Sequence, residues 1–152
     1  MKEQTKKIIL LIIIVVVTIG VLFVALKINE KRKRDLLSTS QIENYLSEIH
    51  YEEIAPHVVE QPNTIIYVAN SSNEKSNEFE GKFRSVIKKY NLENEIIFIN
   101  INETTIVDPV YQYAPELVFY KDGEVADIID CETLKSSEAI VKALEERGVI
   151  ND

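Results

Sequence analysis

A chain of 152 residues has room for one membrane segment and one small domain, because most single domains need about 100 residues to bury a sufficient core. Residues 1–34 carry eight Lys or Arg against two Glu, a net charge of +6, so the overall charge of −8 leaves −14 on residues 35–152. An acidic domain of this kind repels phosphate backbones, which excludes nucleic acid as a partner. Cys131 is the only cysteine of the sequence. It excludes an intramolecular disulfide, a Cys-x-x-Cys redox pair and a cysteine-rich zinc site.

The first feature in chain order is the uncharged run IILLIIIVVVTIGVLFVAL over residues 8–26. A helix of this length measures about 28 Å, close to the hydrocarbon thickness of a bilayer. The sequence therefore predicts a basic tail over residues 1–7, a transmembrane helix over residues 8–26, a charged connector over residues 27–39 and a domain over residues 40–152. The lipid bilayer is the expected partner of Ile8 to Leu26.

A cleaved signal peptide is the alternative interpretation of this segment, because basic residues precede the apolar run. The run is longer than a usual signal-peptide core. The sequence at its end, FVALK, offers no clean small-x-small cleavage site. We therefore expect an uncleaved anchor in a single-pass protein of the cell membrane.

Within the domain, Ser40 and Glu43 have capping-box spacing ahead of apolar residues at helical intervals, which predicts a helix over residues 40–49. Residues 50–61 fit either a short strand or a turn and short helix. The β-rich run over residues 64–69 predicts a buried central strand. A helix follows it, for which Ser71 and Glu74 supply the next capping-box spacing.

The second half of the domain continues with a buried strand over residues 96–101, which is parallel to the first if the helix between them is a right-handed crossover. Strands over residues 117–120 and 125–129 are joined by Asp-Gly, a strong hairpin signal. A last helix begins near Ser136 and ends before Gly148. This order of elements predicts an α/β fold with a mixed sheet and helices on both faces.

Residues 64–150 resemble thioredoxin in the order of their motifs: the strand TIIYVA, a polar turn, a long helix, the strand IIFININ and then APELVFYKDGEV. Thioredoxins carry a cis-proline before the third of these strands, then an apolar run and a Lys-x-Gly turn. Pro115, Leu117–Tyr120 and Lys121–Gly123 match these features in turn. The resemblance implies a thioredoxin-like fold and a cis bond between Ala114 and Pro115.

Within that superfamily, YVANSSNEKSNEFEGKF is most similar to the bacteriocin-transport accessory subgroup, and so is the closing ERGVI. The two cysteines of the subgroup fall on Asn73 and Ser76, and its helix-bend proline falls on Gly81. Disulfide exchange needs a thiolate, which neither an amide nor a hydroxyl replaces. Ser76 as a hydrolase serine would need a base, and the two histidines lie outside the aligned motifs. We therefore expect a degenerate, redox-inactive site.

In the family that the chain resembles, the backbone before the cis-proline pairs with an extended peptide. That pairing needs no thiol, so the resemblance still implies a binding groove. Tyr113, Ala114 and Pro115 are its candidate residues. Tyr111 is a candidate to flank it, with core or surface packing as the alternative. Cys131 is a lone thiol, either inert and partly buried or able to form mixed disulfides. No carboxylate spacing matches a calcium loop, so we expect neither a metal nor a cofactor.

The sequence and the resemblance together predict a membrane-anchored, redox-inactive module that binds a peptide or protein in peptide export or envelope folding. A structural subunit of a membrane complex is the alternative, and a monothiol redox protein using Cys131 is another.

Positive-inside counting favours a cytoplasmic domain, because five Lys or Arg follow the apolar run and three precede it. A short basic tail before an apolar run is the usual export arrangement, however, and the accessory subgroup works outside the cytoplasm. We therefore expect an extracytoplasmic domain.

Overall fold

The computed structural model describes residues 2–38, 40–101 and 106–151. The chain separates into two compact units, Met1–Leu36 and Leu37–Asp152. The first unit is formed by helix α1, which is assigned to Lys2–Ser38 and whose last two residues belong to the second unit. The second unit is a mixed α/β domain.

Helix α1 runs without a break through the apolar segment and on through the charged residues that follow it. Its most apolar 18-residue window has a mean hydropathy of 3.5, and no part of that window is buried. The helix is therefore long and apolar enough to cross a membrane. The charged segment predicted as a connector continues the same helix as far as Ser38.

The domain contains five strands and three α-helices among the described residues. In chain order they are β1 (Ser47–Glu48), α2 (Ile54–Glu60), β2 (Ile65–Ala69), α3 (Glu74–Tyr90), β3 (Ile96–Asn100), β4 (Glu116–Lys121), β5 (Glu124–Asp130) and α4 (Ser137–Glu145). The strands form one sheet in the order β1-β3-β2-β4-β5. Strands β1, β3 and β2 are parallel, whereas β4 is antiparallel to both β2 and β5.

The long apolar runs of the sequence form the centre of this sheet. Strand β2 pairs with β3 from Ile65↔Ile96 to Ala69↔Asn100, and with β4 on its other side. Because both faces of these strands are covered, they are continuously apolar rather than alternating. The four strands predicted from sequence are confirmed, and so is the parallel pairing of the first two.

Two hydrophobic cores lie on opposite faces of the sheet. On one face α3 and α4 pack against side chains such as Tyr67, Phe98 and Leu117. On the other face α2 packs through Ile54 and Val58 against alternate residues of the same strands. The predicted mixed sheet with helices on both faces is confirmed, because successive residues of each strand point to opposite sides.

The turn between β4 and β5 has the geometry that its sequence predicts. Asp122 and Gly123 have φ values of +53° and +83°. Both central residues of a type I′ turn need positive φ, which Asp tolerates and Gly adopts freely. Strand β5 then forms one edge of the sheet, and its carboxylates Glu124, Asp127 and Asp130 are exposed. Asp127 is paired with Arg147 at 2.6 Å.

The predicted helix over residues 40–49 is wrong. The structure has a single turn, in which the Tyr45 and Leu46 amides donate to the Ile42 carbonyl, and the chain then extends into β1. The amide of Ile49 donates to the Phe98 carbonyl at 3.0 Å, which continues the pairing with β3. Main-chain pairing along the sheet edge thus outweighs the local helical pattern. Residues 50–61, left open by the sequence, form a 3₁₀ turn (Tyr51–Glu53) followed by α2.

A fully buried carboxylate, that of Glu80 in α3, joins three parts of the domain. Its Oε2 accepts hydrogen bonds from the Ser40 hydroxyl (3.0 Å) and the Gln41 amide (2.8 Å), and its Oε1 accepts from the Tyr67 hydroxyl (3.1 Å). Burial raises the pKa of Glu80, while these hydrogen bonds act in the opposite direction. The side chain therefore holds the start of the domain and β2 against α3.

Replacing Glu80 by Ala should lower the free energy of unfolding by about 2 to 3 kcal/mol, because the buried hydroxyls of Ser40 and Tyr67 lose their acceptor. The measurement is urea unfolding of the full-length chain in nonionic detergent, followed by near-UV circular dichroism. All seven tyrosines lie in residues 40–152, so that signal reports on the domain. A loss below about 0.5 kcal/mol would show that the three hydrogen bonds contribute little.

The neutral variant Glu80→Gln supplies the pH control. A raised pKa in the folded chain means that the folded state binds the proton more tightly than the unfolded state, whose glutamates titrate near about 4.3. The stability that this group contributes is present below that pH and is lost as the pH rises through the folded pKa. The difference in unfolding free energy, wild type minus Glu80→Gln, should therefore fall as the pH rises above about 4.3. A difference that grows with pH would contradict the direction of the shift.

Candidate functional site

The polar turn, residues 70–73, connects the central strand β2 to the N-terminus of α3. The proline segment, residues 113–115, leads into the neighbouring strand β4. A hydrogen bond from the Asn73 side chain to the Ala114 carbonyl connects the two segments at 3.2 Å. The structure thus brings together candidate residues that lie about 40 positions apart in the sequence.

Asn73, the first of the two positions predicted to replace a cysteine, has two roles. Its Oδ1 accepts a hydrogen bond from the Lys75 amide at 2.9 Å, which makes Asn73 the N-cap of α3. Its Nδ2 donates to the Ala114 carbonyl. The capping box predicted from Ser71 and Glu74 is therefore wrong, because the helix begins two residues later than that spacing implied.

Ser76, the second of these positions, is fully buried. Its hydroxyl oxygen accepts a hydrogen bond from the Asn70 amide at 3.3 Å. His57 is one of the two histidines that could act as a base for Ser76. Its ring lies on the α2 side of the domain, within hydrogen-bond distance of the Thr64 hydroxyl, 3.2 Å away. A buried serine that already binds the backbone is suited to holding the turn and not to attacking a substrate.

The polar turn is tied to the adjacent strand by a reciprocal pair. The Ser71 amide donates to Asn100 Oδ1 at 3.2 Å, and Asn100 Nδ2 donates to the Ser71 hydroxyl at 3.1 Å. Asn77, one turn into α3, donates from Nδ2 to the Ser71 and Asn73 carbonyls. These bonds satisfy backbone groups that the end of β2 and the start of α3 would otherwise leave unpaired.

In the proline segment, the bond between Ala114 and Pro115 is cis, as the resemblance implies. Pro115 is buried, Ala114 is half-buried, and Tyr113 is 65% exposed. Tyr111 is 3% exposed and belongs to the core on the α2 side, where its hydroxyl contacts that of Tyr120. Of the two tyrosines considered for the groove, only Tyr113 is exposed beside the proline segment.

The backbone of Cys131 lies beside the proline segment, since its amide donates to the Pro115 carbonyl at 3.0 Å. Its thiol is 1% exposed and donates to the Ile129 carbonyl at 3.7 Å. Burial, followed by the nearby charges of Asp130 and Glu116, raises the pKa of Cys131 well above its usual value. The thiol therefore stays protonated and is a poor nucleophile.

The acidic residues around the end of β5 are engaged in ion pairs or caps. Glu132 pairs with Lys75 at 2.6 Å, and this contact raises the pKa of the lysine. Asp130 caps a short 3₁₀ turn, since its Oδ1 accepts from the Glu132 amide at 2.9 Å. Among residues 2–38, 40–101 and 106–151, no group of three or more His, Cys, Asp or Glu could hold a metal ion.

Two features of this region were missed from the sequence. The first is the bond between Asn73 and Ala114, for which the sequence carries no local signal because the partners come from separate segments. The second is the buried Glu80, for which a signal exists. Glu80 lies four residues after buried Ser76 and three before buried Phe83, so helical periodicity places it on the inward face of α3. Gly81, next to it, lies within an unbroken helix.

Variants at Asn73 separate its two roles. Asn73→Ser keeps an oxygen for the helix cap and loses the amide that reaches Ala114, whereas Asn73→Ala loses both. We expect Asn73→Ala to lower the free energy of unfolding by about 1 to 2 kcal/mol and Asn73→Ser by roughly half as much. The same near-UV unfolding measurement applies. Equal losses in the two variants would show that the cap contributes nothing.

Compared with known proteins, the chain matches no model of a protein family. No curated protein matches it either. The chemistry of the site is therefore inferred from its own residues.

Proposed function

We propose that this chain is a membrane-anchored, redox-inactive protein of the thioredoxin-like class that binds a peptide or protein partner, as an accessory to peptide export or to folding at the cell envelope. One observation carries the proposal: the side chain at the first former cysteine position, Asn73, forms a hydrogen bond with the carbonyl before Pro115. In this proposal, the backbone before Pro115 pairs with the peptide, and the side-chain amide of Asn73 takes the place of a thiol of the family.

The thioredoxin-like assignment is supported by the sheet and by the sequence motifs together. The domain has a mixed sheet with helices on both faces, which is the architecture that the resemblance implies. The proline before β4 is cis. The order of elements and the cis-proline both agree with the resemblance, although they come from different parts of the sequence.

Redox inactivity follows from the groups present. An amide at position 73 and a buried hydroxyl at position 76 cannot form or break a disulfide. Cys131 is buried with a raised pKa, which disfavours the monothiol alternative. A function that depends on shape and hydrogen bonding is therefore favoured over one that depends on covalent chemistry.

Peptide binding is supported by the ability of the proline segment to accept a further hydrogen bond. A carbonyl oxygen has two lone pairs, so Ala114 can accept a second hydrogen bond while it keeps that of Asn73. The ring of Tyr113 is exposed beside it and supplies an apolar surface with a polar tip. An extended peptide can thus pair with the backbone at Ala114 and pack a side chain on Tyr113.

Anchoring by α1 supports a role at a membrane, with Ile8 to Leu26 in the lipid. We propose that the domain faces away from the cytoplasm, in keeping with the export arrangement of its N-terminal tail.

Orientation is tested with one introduced cysteine, Glu124→Cys in exposed β5, in a Cys131→Ser background. Intact cells are treated with a membrane-impermeant thiol reagent. We expect labelling before lysis, because the domain is on the outer side of the membrane. Labelling that appears only after lysis would place the domain in the cytoplasm.

The binding role is tested by photo-cross-linking in intact cells, with a photoreactive phenylalanine at Tyr113 and, as a matched control, at exposed Glu145 on α4. We expect adducts at position 113 that mass spectrometry assigns to extended peptide segments, and none of these at position 145. Adducts of equal yield at both positions, with one protein at fixed stoichiometry, would support the structural-subunit alternative. The absence of adducts at position 113 would contradict the proposal.

A further inference from the structure

A cavity of about 520 Å³ lies on the α2 side of the domain, on the face opposite α3 and α4. One wall is α2, which contributes buried Val58 and exposed Val59. Val59 is 83% exposed. The cavity is therefore open to solvent and offers apolar surface to a ligand.

Three tyrosines form the rest of its apolar lining: Tyr51, Tyr111 and Tyr120. The rings of Tyr51 and Tyr111 meet edge to face, with centroids 5.7 Å apart. The hydroxyls of Tyr111 and Tyr120 contact each other. Each ring is thus held by a neighbour, so the aromatic surface is fixed before any ligand arrives.

The charged residues that line this cavity are all acidic. They are Glu52 and Asp108, and the described lining residues include no Lys, Arg or His. Asp108 is held in place, because its Oδ2 accepts from the Tyr51 hydroxyl at 3.2 Å and its Oδ1 accepts from the Val110 amide at 3.0 Å. A carboxylate oxygen can accept more than one hydrogen bond, so both Asp108 oxygens keep capacity for a ligand.

We propose that this cavity binds a lysine side chain presented by an apolar segment of a peptide or protein partner. The inference rests on the proposed peptide-binding function and extends it to a second surface, apart from the proline segment. Aromatic rings attract an ammonium group over their faces, and a fixed carboxylate beside them supplies an opposite charge. The valines of α2 accommodate the apolar residues on either side of the lysine.

Charge complementarity is what selects this occupant. An anionic ligand would bring its negative charge against Glu52 and Asp108 with no basic side chain among the described lining residues to offset it. A neutral polar ligand could donate hydrogen bonds to the two carboxylates but would supply no positive charge. The charge of −14 on residues 35–152 adds a long-range attraction for cationic segments. A lysine flanked by apolar residues satisfies both the acidic and the apolar parts of the lining.

The test uses the full-length chain in uncharged detergent micelles, with its tyrosine rings carbon-13 labelled for NMR. The probe is a five-residue peptide, Gly-Leu-Lys-Leu-Gly, acetylated and amidated so that lysine carries its only charge. The matched probe has norleucine in place of lysine. We expect saturable shifts in the Tyr51, Tyr111 and Tyr120 ring signals, with the lysine peptide bound at least about tenfold more tightly than the norleucine peptide.

Two variants, each of which removes one negative charge, complete the experiment. Asp108→Asn should weaken binding of the lysine peptide about tenfold, because it removes the charge and keeps an acceptor of similar shape. Glu145→Gln, on the opposite face of the sheet, should leave binding unchanged. Unchanged ring signals of unliganded Asp108→Asn, apart from Tyr51, show that the variant is folded.

Equal affinity for the two peptides, no loss in Asp108→Asn, or no saturable shift at all would overturn the inference. Shifts confined to Tyr113 would also overturn it while supporting peptide binding at the proline segment. The converse result is that position 113 gives no cross-links while the three tyrosine signals shift. That result would contradict peptide binding at the proline segment and would leave this cavity as the peptide site. The two proposals are therefore tested separately.

Discussion

Much of the domain depends on one buried carboxylate. Glu80 lies in the core and accepts hydrogen bonds from the first residues of the domain and from the central strand. A carboxylate without partners in such a place would be strongly unfavourable, so its three donors have to be correctly positioned for the fold to form. The rings of Phe79 and Phe83 pack around Tyr67, one of these donors, with centroids 5.5 and 5.6 Å away. Apolar packing and polar pairing thus fix the same contact between β2 and α3.

The candidate site, formed by the polar turn and the proline segment, consists of polar groups that form hydrogen bonds with one another. Asn73 caps α3 and reaches Ala114, Ser76 holds the Asn70 amide, and Asn100 pairs with Ser71. Side-chain amides and hydroxyls make such bonds at every physiological pH and are indifferent to redox conditions. In the proposed reading, replacing two thiols by these groups converts a site that depends on the redox state of its surroundings into one whose shape is constant.

The sequence was most informative where a single segment determines its own structure. The apolar runs of β2 and β3, the Asp-Gly turn and the start of α4 near Ser136 were all recognised correctly. It was least informative where distant segments meet. Strand β1 contains two residues, and it forms because β3 offers an unpaired edge, which no local pattern near Ser47 records. The hydrogen bond between Asn73 and Ala114 has the same origin.

The exposed edge of the sheet affects how copies of the chain meet. Strand β5 pairs with β4 on one side, and among the described strands none pairs with its other side. Open strand edges invite pairing with another chain, but this one carries Glu124 and Asp130. Proteins anchored in a membrane are confined to two dimensions and collide far more often than in free solution. If α1 anchors the chain as proposed, like charges along β5 keep neighbouring domains from joining their sheets when the chains crowd together.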